Sequence, residues 1–220
     1  MSMRTGASLD TTAIVTLAVF AALALLVAIL SVRQSGQQKA GMERFAASHG
    51  WQFLGTDSSQ VESLLTQTDP KEKWRAWNII LVEGPPQSVY LFSYRTATRR
   101  SGGENGLACL AEGGGGRNED PVAIYRRVPL VEKLLGDRVE VGGPEFRQEF
   151  IVTCRRPDVA ATVVNEAVQG ILLQHVRDPQ WVLQVRIARG RVLVTTSWAQ
   201  KPGEWDYLIE LTRRLRAALP

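Results

Sequence analysis

The chain has 220 residues, 45% of them hydrophobic and 22% charged, with a formal net charge of +4 at pH 7. That balance excludes a disordered tract or a collagen-like repeat and suits a globular domain with one additional segment. Lys and Arg are interleaved with acids rather than gathered in one run, so nucleic acid is not an expected partner. With two cysteines, Cys109 and Cys154, a small secreted disulfide scaffold is excluded and free thiols in a reducing compartment are expected.

After a tail of residues 1–10, Thr11 to Val32 runs for 22 residues without a charge. As a helix this stretch would extend about 33 Å, enough for a hydrocarbon core of about 30 Å. A soluble core helix is seldom apolar on every face, and a cleaved signal peptide has a shorter apolar region with a small-x-small cleavage site. The segment is therefore read as a single transmembrane helix whose partner is the lipid bilayer. Arg4 precedes it, whereas Arg33, Lys39 and Arg44 follow it. The positive-inside bias then puts the N-terminus outside and the remainder in the cytoplasm.

Residues 33–41, including "SGQQKAG", read as a flexible linker, and residues 42–220 as the folded domain. Met42, Phe45, Ala46 and His49 recur at helical spacing, with Gly50 as the stop and His49 in the last turn, where a cation suits the helix dipole. "WRAWNIILVE" and "SVYLFSYR" around "GPPQ" predict a β-hairpin with a turn longer than two residues. "LACLAE" and "PVAIYRRV" repeat the scheme across Gly113 to Gly116, so the four segments are expected as an antiparallel meander. Those glycines do not form a phosphate cradle. No Lys-Ser/Thr follows them, no helix opens after them, and Glu119 and Asp120 would repel an anion.

"EFIVTC" reads as a strand, followed by a helix capped by Asp158 and running to about Val176. In "WVLQVRIA", Leu183, Val185 and Ile187 are expected inward and Gln184 and Arg186 outward. Gly190 turns this strand into "RVLVTTSW". A last helix, about Gly203 to Leu219, should bury Trp205, Leu208, Leu211, Leu215 and Leu219. Its late arginines, Arg213, Arg214 and Arg216, are read as solvated and favoured by the dipole. The order predicts an α+β fold with a mainly antiparallel sheet and flanking helices.

"FAASHGWQF", "VEVGGPEFRQEFIV" and "RDPQW", placed behind a membrane helix, resemble a group of uncharacterised actinobacterial single-pass membrane proteins. The resemblance covers most of the chain and implies no established function or catalytic residue. In the central motif, Gly142 and Gly143 allow positive φ, Pro144 fixes the entry to a strand, and Phe146 and Phe150 pack into the sheet.

The chain offers no G-x-S-x-G, H-E-x-x-H or paired C-x-x-C motif. Both cysteines fall in apolar strand patterns that favour core packing over catalysis with His49 or His175. Carboxylates such as Glu43, Glu62 and Asp69 show no pairing. No catalytic residue, cofactor or metal is expected. The leading expectation is a non-enzymatic interaction or adaptor module at the cytoplasmic membrane face, with a membrane or cytoplasmic protein as partner. Any exposed members of Trp74, Trp77 and Tyr94 would be its anchors, although aromatics of this kind favour core packing. The alternatives are a lipid-surface module using Arg33, Lys39 and Arg44 with Arg95, Arg99 and Arg100, and an enzyme of unrecognised type.

Overall fold

The computed structural model describes residues 11–97, 104–114, 118–128, 135–176, 183–196 and 202–220, with only the backbone given at some of them. The chain divides into two compact units, Met1–Gly41 and Met42–Pro220. The first contains most of α1 (Thr11–His49), a helix of 39 residues. Residues 33–41 are thus helical and not a flexible link. Their few glycines do not break a run of Gln, Lys, Ala and Arg with good helix propensity. Side chains at 11–15, 18, 27–32, 34 and 35 lie outside the described set, and among the described residues no helix is long and apolar enough to cross a membrane. Within this helix Leu17, Phe20 and Leu25 are 75%, 68% and 63% exposed.

The second unit is built on a nine-stranded antiparallel sheet in the order β1-β2-β3-β4-β9-β8-β5-β7-β6. Its strands are β1 (Gln52–Gly55), β2 (Lys73–Glu83), β3 (Val89–Ala97), β4 (Asn105–Glu112), β5 (Val122–Arg126), β6 (Arg138–Val139), β7 (Phe150–Thr153), β8 (Leu183–Ala188) and β9 (Arg191–Thr196). The helices after α1 are α2 (Ser59–Thr68), α3 (Pro144–Glu149), α4 (Pro157–Val163), α5 (Glu166–Val176) and α6 (Pro202–Ala218). The α+β class and the antiparallel sheet are as the sequence predicts. The expected four-strand meander is not: β2, β3 and β4 are consecutive, but β4 pairs with β9 and β5 pairs with β8 and β7. The connection from β4 to β5 is therefore a crossover, and Gly115 and Gly116 of the glycine run lie outside the described residues. Gly114 N–H donates to the Gly190 carbonyl at 2.9 Å, which binds this connection to the β8–β9 turn.

Strand alternation creates two cores. One face carries Ile80, Leu91, Leu107, Cys109, Val122, Ile124, Val152, Val185, Ile187, Val192 and Val194. It is covered by the end of α1, through Met42, Phe45 and Ala46, and by α3 to α6. Trp205, Leu208, Leu211, Leu215 and Leu219 are all buried there as predicted. The other face carries Trp74, Ala76, Ile79, Tyr90, Phe92, Tyr94, Ala108, Leu110 and Leu193 beneath Val61, Leu64 and Leu65 of α2. Helix α2 is tied down by Glu62, whose Oε1 accepts from the Ser58 hydroxyl at 3.0 Å and the Ala76 N–H at 3.1 Å.

Three local expectations need correction. Residues 144–149 form the short helix α3, with Pro144 in its first turn, and the strand begins only at Phe150. Proline has no N–H to lose in a first helical turn, so it starts a helix as readily as it enters a strand. Phe146 and Phe150 still stack, with centroids 4.9 Å apart. Gly142 has φ of 87°, but the φ of Gly143 is −66°. The single helix expected after Asp158 is two. Arg156 precedes α4, and Asp158, in the first turn, pairs with Arg156 instead of capping. The chain breaks at Val164, and Asn165 Oδ1 accepts from the Val168 N–H at 2.9 Å to cap α5. The arginines of α6 are not simply solvated. Arg213 Nε donates to Glu83 Oε1 at 2.6 Å and Arg216 Nη2 to Glu83 Oε2 at 3.1 Å, which staples the helix to the end of β2.

Candidate ligand cleft

Helix α2 shields the second sheet face over β2, β3 and β4, while β5, β7 and β8 continue that face beyond it. The positions left over, Ala123, Tyr125, Thr153 and Arg186, form the floor of a cleft of about 590 Å³. Its walls come from residues 69–72 after α2, 119–121 before β5, 135–137 before β6, and Cys154 and Arg155 after β7. The volume lies in the range of small-ligand and peptide side-chain sites.

Arg186 is the centre of the floor. The alternation of β8 placed it opposite Val185 and Ile187, as predicted, but "outward" here means against Trp74 and the turn after α2 and not into water. Its side chain is 13% exposed and its Nη1 lies 2.6 Å from Asp69 Oδ2, itself 10% exposed. The guanidinium carbon sits 5.6 Å from the Trp74 ring centroid, a cation–π contact. With its amide oxygen turned to the guanidinium, Gln184 accepts from Arg186 Nη2 at 2.7 Å and Nε at 3.0 Å, and from Tyr125 Oη at 3.1 Å. A desolvated cation is thus compensated on every side. Asp69 also accepts the Lys71 N–H at 3.2 Å, which shapes the turn leaving α2.

Glu72 is the unsatisfied member. Its Oε2 is buried without a hydrogen-bond partner, as is the indole Nε1 of Trp74. Burial, first, pushes the Glu72 carboxyl above its ordinary range; Arg186 opposes this, and Asp69 and Glu104 add to it. Among the described residues the cleft presents five carboxylates (Asp69, Glu72, Glu119, Asp120 and Asp137) against three cations (Lys71, Arg155 and Arg186). Negative charge dominates locally on a chain whose net charge is positive. Such a site repels phosphate and accepts donors.

The residues singled out from sequence are distributed otherwise. Arg33, Lys39 and Arg44 are all exposed on α1. At about 100° per residue Arg33 and Lys39 lie roughly 120° apart around the helix, and Arg44 belongs to the second unit. Arg95 is exposed on β3, while Arg99 and Arg100 lie outside the described residues, as does "RDPQW". Trp74 and Tyr94, considered as anchors, are 6% and 2% exposed and pack on each other with centroids 5.4 Å apart. Aromatic area of that size on a sheet face under a helix is worth more inside the core than on its surface. Cys109 and Cys154 are free and buried. His49 stacks on Trp51 at 4.4 Å and lies 3.4 Å from Asp206, while His175 hydrogen-bonds the Tyr207 hydroxyl. Neither histidine is near a cysteine among these contacts. Among the described residues no group of three or more His, Cys, Asp or Glu could hold a metal ion.

Asp69, Glu72 and Arg186 were not predicted as a site. The helix that delivers the first two is likewise not among the predicted elements, although Val61, Leu64, Leu65 and Thr68 follow the i, i+3, i+4, i+7 rule that signals it. Nothing local could have joined them to Arg186.

No protein-family model and no curated protein matches the chain. Among solved structures its fold is similar to the crystal structure of the mycobacterial trehalose monomycolate transport factor A, TtfA. The TM-score is 0.55 at 15% identity, covering 83% of this chain and 96% of that one. At this identity the likeness shows the fold alone. The neighbour is mycobacterial and so actinobacterial, in keeping with the group the sequence motifs resemble.

Proposed function

We propose that this chain is a membrane-tethered, non-enzymatic accessory factor that serves lipid transport by engaging a partner protein at the cytoplasmic membrane face. The observation that carries this reading is the shared fold, which spans 83% of this chain and 96% of a protein titled a trehalose monomycolate transport factor.

The tether is Thr11 to Val32. Apolar side chains exposed along that helix, Leu17, Val19, Phe20, Leu23, Leu25 and Leu26 among them, are unfavourable in water and at home in hydrocarbon. Arg33, Lys39 and Arg44 follow the tether and favour a cytoplasmic domain with the N-terminus outside.

Cross-linking of the full-length chain in its native membrane, followed by mild-detergent purification and mass spectrometry, tests the reading. A stoichiometric integral-membrane partner with a role in lipid export is expected. A chain that resists no alkaline carbonate wash, or that purifies alone after cross-linking, would overturn it.

A further inference from the structure

We propose that the cleft over β5, β7 and β8 is the docking site for a Lys- or Arg-rich segment of the partner protein. The inference rests on the adaptor reading above and gives that adaptor a recognition surface.

Among the described residues α2 packs on that sheet face over β2, β3 and β4, and the cleft lies over β5, β7 and β8. A hydrophobic partner would meet a polar floor there, and an anion would meet Glu72, Glu119, Asp120 and Asp137. A cationic side chain suits both features. Its ammonium or guanidinium supplies the donor that the buried Glu72 Oε2 lacks, and its methylene stem lies against Tyr125 and Leu135. Arg186 does not compete for the site, because Asp69 and Gln184 already satisfy it. Among the described lining residues carboxylates outnumber cations five to three, so a basic segment is drawn to this cleft. Short cytoplasmic loops of membrane proteins carry Lys and Arg in excess, which is the chemistry available to a domain held at that face.

The test uses the full-length chain in detergent micelles and a fluorescein-labelled decapeptide alternating Lys or Arg with Ala and Leu, read by anisotropy. Saturable binding is expected, weakened at higher salt and weakened about tenfold by combining Glu72→Gln with Asp120→Asn, two charge pairs of ordinary surface strength. Glu145→Gln, on exposed α3, should bind as the parent does. A matching peptide with Gln in place of the cations controls for apolar adsorption. Equal binding of that peptide, or unchanged binding by the double variant with a native near-ultraviolet circular dichroism spectrum, overturns the proposal. Should a partner cross-link equally to the double variant, the cleft is not its dock although the adaptor reading stands. Peptide binding without any cross-linked partner would instead overturn the adaptor reading.

Discussion

Arg186 and Asp69, from strand β8 and the turn after α2, meet at 2.6 Å with both side chains almost out of water. Such a pair is costly to break and cheap to replace. Asp69→Ala should destabilise the fold by about 3–5 kcal/mol, because it leaves a buried guanidinium with half its compensation gone. Asp69→Leu combined with Arg186→Met should recover most of that loss. Urea unfolding of the two single variants and the double measures the coupling. Additive losses would show that the pair is not energetically joined.

Glu72 gives the fold a pH dependence of definite sign. Its carboxyl holds a proton to higher pH when folded than its ordinary value of 4.5. The folded state therefore binds more protons than the unfolded chain across that window, and stability falls as pH rises from about 4.5 through the folded value, then levels. Glu72→Gln removes this component. The variant should gain on the parent as pH rises through the window, which denaturant midpoints between pH 4 and 8 would reveal. A constant difference at all pH values contradicts the assignment.

Cys109 should be chemically silent in the native protein. Burial pushes its thiol up to about 12, against the lowering effect of a hydrogen bond with Thr212, and the thiolate is the reactive form. Cys109 should label with an aromatic disulfide reagent only at the rate of unfolding. Peptide mapping distinguishes it from Cys154. Fast native labelling of Cys109 would mean that β4 and α6 separate readily.

Two glycines are held by their surroundings as well as by their φ angles. Gly190 has φ of 69°, and a Cβ there would lie 2.9 Å from the Gly114 carbonyl oxygen. A Cβ on Gly142, at φ of 87°, would fall 2.7 Å from the Phe146 ring and 3.0 Å from Gln169 Oε1. Each Gly→Ala change should cost about 1–3 kcal/mol of stability, the usual range for a strained backbone position. Gly136→Ala, with open space around it, is the control and should lie within about 0.5 kcal/mol of the parent.

What could be read in the sequence was whatever depends on near neighbours. The alternation in β8, the hairpin of β2 and β3, and the apolar stripe of α6 from Trp205 to Leu219 were all legible, since each is a pattern within one element. The break at Asn165 was less visible, because an apolar face continues from Ala160 to Leu172 across it and only a side-chain cap reveals the interruption. The place of β5 could not be read at all. Its neighbours β7 and β8 lie further along the chain, and strand order is set by long-range packing. The cleft suffers from the same limit: Asp69 and Arg186 become partners only once β8 has been placed beside β5.

The position of the β8–β9 hairpin has a consequence for biosynthesis. These strands stand between β4 and β5, so the middle of the sheet is among the last parts to be translated. A nascent chain that has made residues 42–176 holds two sheet fragments, each with a raw edge at β4 or β5 and no way to join. Translation at about 5–20 residues per second leaves those edges open for seconds, long enough to pair with other chains. Premature stops or slow codons ahead of Leu183 should therefore yield aggregated and degraded product instead of a shortened functional domain.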